Sequence, residues 1–177
     1  MPAWLNPMTA LDNLQQFLEM GGNVLVLIMI ATFFMWAFIL ERVAYYQFAH
    51  KQVAKRAIDK WAARSDHTSW YAHAIRTQLI SEVRQRTEQN MGLIKALVAI
   101  SPLLGLLGTV TGMVEVFDIM AATGTSNVRA MSAGVSKATI PTMAGMVAAL
   151  SGLIFSNRLE RRALRATQSV ADSMELG

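Results

Sequence analysis

The sequence contains no cysteine, and only 16% of its 177 residues are charged, whereas soluble domains carry about a quarter. The lack of cysteine excludes disulfides, thiol nucleophiles and most structural zinc sites. Three stretches carry no charged residue at all: 21–40, 96–114 and 138–156. Charge-free apolar stretches of about 20 residues are typical of membrane-spanning helices. We therefore predict an all-α integral membrane protein with three transmembrane helices.

Motifs for catalysis or metal binding are also missing. The sequence has no HExxH motif, no glycine-rich phosphate loop and no nucleophile motif. Two of the three histidines, His67 and His73, are six residues apart, a spacing that suits no metal pair on one helix. We expect this chain to be no enzyme and to hold no cofactor or metal.

The positive charges are unevenly distributed along the chain. Of the 16 Lys and Arg residues, residues 41–95 hold ten and residues 157–177 hold four, and the first 20 residues hold none. This asymmetry follows the positive-inside rule rather than the pattern of a nucleic-acid-binding protein. We predict that 41–95 and 157–177 are cytoplasmic and that 1–20 and 115–137 are periplasmic. A signal peptide has a positively charged segment before its apolar core, but the charged residues that precede the first apolar stretch here are all acidic. We therefore expect an uncleaved anchor rather than a signal peptide.

The segments outside the spans are predicted to be helical. Residues 1–20 have apolar positions at helical spacing, which predicts an amphipathic helix at the outer interface, joined loosely to the first span at Gly21 and Gly22. Residues 41–95 contain no proline, which predicts two long helices separated near "RSDHTS", with Ser65 or Asp66 as the cap of the second. The tail 157–177 is expected to prolong the third span into the cytoplasm.

Small residues line one face of each of the last two spans. They recur at helical spacing, and small residues allow close approach of membrane helices. The faces comprise Ser101, Gly105, Gly108 and Gly112 in the second span, continued by Glu115 at its outer end, and Ala138, Thr142, Gly145, Ala149 and Gly152 in the third. We expect the two helices to pack against each other and against copies of themselves. The pattern alone leaves open whether the face is only a packing seam or also a polar pathway.

Two prolines lie inside these spans. Pro102 and Pro141 are expected to kink their helices and to free the carbonyl groups four residues earlier. For Pro141 that carbonyl belongs to Lys137, with the hydroxyls of Thr139 and Thr142, or a water, as candidate donors to it. Lys137 is further expected to pair with a rim carboxylate, which is Glu115 or Asp118 of its own or a neighbouring subunit. No Asp or Glu lies inside any span, so a proton relay would need a carboxylate from a partner.

Two adjacent blocks, "SPLLGLLGTVTGM" and "GVSKATIPTMAGMVAAL", resemble the paired motifs of the ExbB/TolQ/MotA proton-channel family, and most closely its ExbB and TolQ branch. "ILERVAYY" resembles the exit of that family's first helix. The resemblance implies a homopentameric ring in the bacterial inner membrane around a dimer of a single-span ExbD-type partner. That partner carries an aspartate in its span, and the family's pore threonines fall on Thr109 and Thr142.

The chain departs from the family pattern at informative positions. The family's glutamate in the third span falls on Lys137, an alanine on Pro141 and a proline on Ser151. The resemblance implies a compact ExbB-type subunit that acts with a TonB-type protein in transport across the outer membrane, such as iron uptake. The alternatives are a TolQ-like subunit for envelope integrity, a MotA-like stator, and a passive scaffold surrounded by membrane lipid that stabilises a single-span partner.

Overall fold

The computed structural model describes the backbone of residues 7–123 and 128–174 and most side chains from residue 21 onward. It contains five α-helices and no strand in these ranges. The helices are α1 (Pro7–Ala44), α2 (His50–Ala62), α3 (Trp70–Glu88), α4 (Met91–Thr123) and α5 (Val128–Asp172), with a π-helical turn at Tyr45–Ala49. Most side chains of the predicted amphipathic helix lie outside the described residues.

Three helical stretches are long and apolar enough to cross a membrane: Gly21–Ala62, Trp70–Ala122 and Met131–Asp172. Large apolar side chains on them are exposed, and Phe33, Met143 and Val147 each expose about 70% of their surface. Helices that face lipid have this property, since lipid tails solvate apolar side chains. The prediction of an all-α chain with three such helices is confirmed.

α1 is interrupted at Gly22. This residue has φ 63° and ψ −165°, a backbone conformation that glycine adopts without steric cost. The break lies in the Gly21–Gly22 pair at which the sequence predicts a loose junction. The part of α1 that follows Gly22 contains the charge-free stretch.

The chain divides into two compact units. The first comprises residues 1–35 and 96–151. Its buried side chains come from α1, α4 and α5 and include Leu25, Ile28, Val116, Ala138 and Ala148. We call it the apolar unit, because it contains most of the three charge-free stretches.

The second unit comprises residues 36–95 and 152–177, and we call it the charged unit. Its hydrophobic core joins α2, α3 and the end of α5 through Ala57, Trp61, Ala72, Leu79, Val83, Val170 and Met174. The Arg76 guanidinium donates to the carbonyls of Met174 and Ala171, each at 2.8 Å. Ala171 lies in the last turn of α5 and Met174 just beyond it, and the Ala171 carbonyl also accepts the Met174 amide at 3.3 Å.

The helix breaks of the charged unit match the sequence in part. The predicted break near "RSDHTS" is present between α2 and α3, but the cap is Ser69, which accepts from the Ala72 amide at 3.1 Å. Asp66 instead accepts hydrogen bonds from the amides of Thr68 and Ser69. A second break, at Asn90 with φ 63°, was not predicted, although asparagine often adopts this left-handed conformation after a helix.

Candidate functional site

α4 and α5 touch along their small-residue faces, backbone against backbone. A Cβ atom added to Gly105 would lie 2.9 Å from Thr142 Cα, and one added to Gly145 would lie 2.5 Å from the Ser101 carbonyl oxygen. A Cβ atom on Gly112 would lie 2.7 Å from Ala138 Cα. The two predicted faces therefore form one contact, which we call the glycine seam. Its centre has no room for a polar pathway.

The two predicted pore threonines, Thr109 of α4 and Thr142 of α5, lie at the edge of the glycine seam. Both lie beside the turn of α4 that begins at Gly105. Thr142 Oγ1 donates across the seam to the Gly105 carbonyl at 2.8 Å. In an α-helix that carbonyl also accepts the amide of the residue four positions on, which is Thr109. The Thr109 hydroxyl donates within its own helix to the Leu106 carbonyl at 2.7 Å. Both side chains are partly exposed.

The two prolines lie inside continuous helices. Pro141 is fully buried, and its ring packs on Gly108, where an added Cβ atom would lie 2.4 Å from Pro141 Cβ. Thr139 donates to the Ser136 carbonyl at 3.0 Å, so neither it nor Thr142 serves the carbonyl that Pro141 frees. That part of the expectation is wrong, because both hydroxyls have other acceptors. The kinks at Pro102 and Pro141 stay a prediction.

Lys137 and Glu115 form an ion pair between α5 and α4. Lys137 Nζ donates to Glu115 Oε2 at 2.6 Å, and the two side chains are 38% and 54% exposed. Asp118, the other candidate, is exposed and makes no ion pair with the residues that the structure describes. The pair lies one turn beyond Gly112, at the end of the glycine seam that the predicted topology places outside.

A cavity of about 270 Å³ lies next to this ion pair within the apolar unit. Its lining residues are Gly21, Gly22, Asn23, Val24, Gly108, Thr111, Gly112, Glu115 and Lys137. A Cβ atom on Gly22 would lie 3.5 Å from Lys137 Cε. Asn23 and Thr111 were missed as site residues. The paired glycines before Asn23 were the only sequence feature that pointed to this part of α1.

The "ILERVAYY" motif forms hydrogen bonds that hold the end of α1 to the end of α3. This role was not predicted from the sequence. Arg42 is 2% exposed. Its Nη1 atom donates to the Arg86 carbonyl at 2.9 Å, and its Nε and Nη2 atoms donate to Glu41 at 2.8 and 2.6 Å. The guanidinium carbon also lies 4.7 Å from the centre of the Tyr45 ring, within the range of a cation–π contact.

Two further hydrogen bonds complete this attachment. The Tyr46 hydroxyl donates to the Thr87 carbonyl at 2.9 Å, and Asn90 Nδ2 donates to Glu41 at 3.3 Å. The acceptors Arg86 and Thr87 lie in the last turn of α3, where carbonyls lose their helical partners. The motif therefore holds the turn between α3 and α4 against α1.

The profile of the MotA/TolQ/ExbB proton channel family matches residues 45–172 of the chain. This range includes both threonines, the ion pair and the whole glycine seam. The chain belongs to the MotA/TolQ/ExbB family. Together with the three apolar helices, this membership makes it a multi-pass membrane protein.

Individual members of the family are similar over shorter ranges. The chain is 31% identical over 83 residues to the biopolymer transport protein ExbB of Salmonella typhimurium, covering 47% of this chain and 34% of that protein. It is 37% identical over 67 residues to the putative biopolymer transport protein ExbB-like 3 of Synechocystis sp., covering 37% and 32%. With ExbB-like 1 of Helicobacter pylori it shares 27% over 99 residues, covering 56% and 52%. The chain thus spans between about a third and half of these relatives.

Proposed function

We propose that this chain is the ExbB-type subunit of a proton-driven motor in the bacterial inner membrane. It works with an ExbD-type single-span partner and a TonB-type protein to energise transport across the outer membrane. The observation that carries the proposal is that Thr142 of α5 donates to the Gly105 carbonyl of α4 at 2.8 Å, in the turn of α4 that contains Thr109.

The closed glycine seam determines where protons pass. Because the α4 and α5 backbones touch, the path runs along the edge of the seam, past the partly exposed Thr109 and Thr142. A hydroxyl both donates and accepts hydrogen bonds, so it orders water and passes protons on without storing charge. The residue that stores the proton is the partner's intramembrane aspartate, since none of the three predicted spans of this chain contains an Asp or Glu residue.

The ion pair has a different role from the threonines. Lys137 and Glu115 line the cavity near Gly22 and form the outer vestibule of the path. The Lys137 ammonium group donates to the Glu115 carboxylate at 2.6 Å, and we assign this ion pair no part in the proton path. The pair instead fixes the outer ends of α4 and α5 while the partner moves.

The assembly follows the family pattern that the sequence resembles. Identical subunits form a ring, with five copies, around the partner's spans. The N-terminus lies in the periplasm, and residues 41–95 and 157–177 lie in the cytoplasm. Fourteen of the 16 Lys and Arg residues occupy these two cytoplasmic stretches, as the positive-inside rule requires.

Proton flux through reconstituted liposomes tests the proposal. The chain is reconstituted with its partner, a potential is imposed, and internal pH is followed with a dye. We expect flux with both proteins and none when the partner's intramembrane aspartate is replaced by asparagine. Flux that is unchanged by this replacement would disprove a carboxylate supplied by the partner.

Substitutions of the threonines test the path itself. Thr109→Val and Thr142→Val keep the side-chain shape and remove the hydroxyl, and we expect each to lower flux by about a hundredfold, the low end of typical losses for a proton-transfer group. Thr109→Ser and Thr142→Ser keep the hydroxyl and should retain most of the flux. Thr139→Val is the matched control, since Thr139 is an exposed threonine of the same helix as Thr142 but donates to the Ser136 carbonyl and not across the glycine seam. Full flux in both valine variants would favour the passive scaffold.

A further inference from the structure

We propose that the charged unit contains a binding site for the headgroup of an anionic phospholipid, formed by four arginines of α5. The residues are Arg158, Arg161, Arg162 and Arg165, and we call them the arginine face. The inference rests on the chain being a membrane protein and is independent of the proposed motor function.

The arginine face begins where the apolar part of α5 ends. The charge-free stretch runs to residue 156, and the four arginines occupy the next nine residues. Their spacing of three, four and seven residues places them within about 100° of one side of the helix. Phosphate groups of the bilayer lie at this level, directly beyond the hydrocarbon region.

The arginine face borders a groove of about 610 Å³. Phe155 and Leu159 form part of its apolar surface, and Val43 and Gln47, at and beyond the end of α1, also line it. Its volume is in the range of about 300–1,000 Å³ that is usual for small-molecule sites. The groove therefore offers guanidinium groups for a phosphate and apolar side chains for the start of an acyl chain.

The arginines of this face make no ion pair with the residues that the structure describes. Other cations of the unit do: Arg42 with Glu41, Arg84 with Glu88, and Lys95 with Glu160. Glu160 lies among the four arginines in sequence, but it is held by Lys95 at 2.6 Å. Like charges three and four residues apart destabilise a helix, so an anion on this face would relieve repulsion within α5.

The chemistry of the face favours a phosphodiester over a soluble anion. A guanidinium group can bind two oxygens of one phosphate at the same time. Basic pockets next to membrane helices bind acidic lipid headgroups. Trp36 packs edge-on against Phe155, with ring centres 5.0 Å apart, and tryptophan is enriched at the membrane interface. The groove thus places arginines for the phosphate, apolar side chains for the acyl chain and an interfacial tryptophan close together.

Lipid titration of the purified full-length protein tests the proposal. The protein is delipidated in a non-ionic detergent, and adducts with dioleoylphosphatidylglycerol and dioleoylphosphatidylcholine are counted by native mass spectrometry. We expect adducts with phosphatidylglycerol at about tenfold lower concentration than with phosphatidylcholine. Both lipids carry a phosphodiester, but the choline cation of phosphatidylcholine offsets its charge and is repelled by the arginines. Equal binding of the two lipids would overturn the proposal.

Two sets of variants locate the site. Replacing the arginine face by glutamine should remove the preference for phosphatidylglycerol, and replacing it by lysine should weaken it, because lysine keeps the charge but not the paired geometry. The matched control replaces four exposed cations of α2 by glutamine, with the same change in net charge; these are Lys51, Lys55, Arg56 and Lys60. An equal loss in the control would show general charge attraction and refute the site. Circular dichroism and gel filtration verify that each variant is folded.

Competition separates a lipid from other anions. Soluble glycerol 1-phosphate and a poly-glutamate peptide are added at the concentration of phosphatidylglycerol that half-saturates the protein. We expect neither to displace the lipid. Displacement by glycerol 1-phosphate would assign the groove to a soluble phosphate, and displacement by the peptide would assign it to an acidic protein segment. Either result would overturn the lipid assignment.

Discussion

Lys137 occupies the position where the family resemblance leads one to expect a glutamate, and its contact with Glu115 gives a physical reason for the difference. A carboxylate at position 137 would face the carboxylate of Glu115, which lies 2.6 Å from the present ammonium group. Two like charges so close are costly near a membrane, where little water screens them. A lysine forms an ion pair with Glu115 instead, and this pair carries no net charge.

Single and paired substitutions test this view of the vestibule. Lys137→Met and Glu115→Gln each leave one charge unpaired, and we expect each to lower the free energy of unfolding by about 1 kcal/mol, since both side chains are partly exposed. The exchange of both residues, Lys137→Glu with Glu115→Lys, should restore most of this loss and of the proton flux. Thermal unfolding in detergent and liposome flux provide the measurements.

Asp118→Asn is the control for that series. Asp118 is exposed and unpaired among the described residues, so the variant should behave like the unmodified chain. If Lys137→Met has unchanged stability and flux, the lysine only extends to the headgroups, and its ion pair has no functional role.

Residue roles could be predicted where helical geometry alone decides them. Glu115 is turned about 60° from Gly112 around α4, and Asp118 about 120°, so the glycine seam favours Glu115 as the partner of Lys137. Arg42 is the opposite case. A charge after an apolar stretch resembles an ordinary headgroup anchor, whereas its acceptor is the carbonyl of Arg86, 44 residues later. No periodicity in the sequence contains that information.

At the scale of helices, the glycine seam explains why small residues recur in α4 and α5. The stripe could be predicted, because small residues at helical spacing indicate close helix packing. Which residues of the two helices contact each other, such as Gly108 and the ring of Pro141, depends on how far α5 is displaced along the axis of α4. That shift results from the combined packing of both faces and is not encoded at any one position.

Added methyl groups should separate the seam from other glycines. Gly145→Ala would place Cβ 2.5 Å from the Ser101 carbonyl oxygen, and we expect a loss of about 1–3 kcal/mol in the free energy of unfolding from overpacking. Gly92→Ala is the control, because nothing lies within 4 Å of its added Cβ. It should be neutral or stabilising by up to about 1 kcal/mol. Chemical denaturation in detergent measures both, and equal effects would contradict a tight seam.

The start of α3 should respond to acid through Asp66. Hydrogen bonds from the Ser69 hydroxyl and from the amides of Ser69 and Thr68 hold the pKa of this carboxyl below its ordinary value of 3.8. A carboxyl with a lowered pKa adds stability above its unfolded pKa and loses it as the pH falls through its folded pKa. The contribution of Asp66 should therefore be complete at neutral pH and decline below about pH 4.

Hydrogen exchange in the first turn of α3 measures this effect. Asp66→Asn should raise exchange at pH 7 relative to the unmodified chain, and the difference should shrink as the pH falls through the lowered pKa of Asp66. Asp59→Asn, at an exposed position of α2, is the control and should change nothing. A difference that stays constant down to the pH at which the protein unfolds would exclude the carboxylate as its cause.

At the scale of the whole molecule, the chain consists of an apolar unit and a charged unit. Three helices, α1, α4 and α5, contribute residues to both. The number of helices able to span a membrane could be predicted, because each charge-free stretch is an independent marker of a span. The core of the charged unit could not, since it joins residues as distant in sequence as Ala57 and Met174. Its residues are dispersed among charged ones and have no apolar stretch of their own.

Truncating a core side chain near the chain end should affect one unit more than the other. Met174 is fully buried in the core of the charged unit, and Met174→Ala should cost about 2–5 kcal/mol there. We expect faster hydrogen exchange in α2 and α3 and unchanged exchange around the glycine seam. Ser173→Ala, at an exposed neighbouring position, should have little effect. Uniformly faster exchange in both units would show that they unfold together.

The contact between Lys137 and Glu115 has a consequence for symmetry. Any charge carried by one subunit is multiplied by the number of copies in a ring, so an unbalanced lysine would surround the mouth with a positive collar that repels incoming cations. Here the cancelling charge belongs to the same chain, 2.6 Å away. The pair itself therefore adds no net charge, whatever the number of copies in the proposed ring.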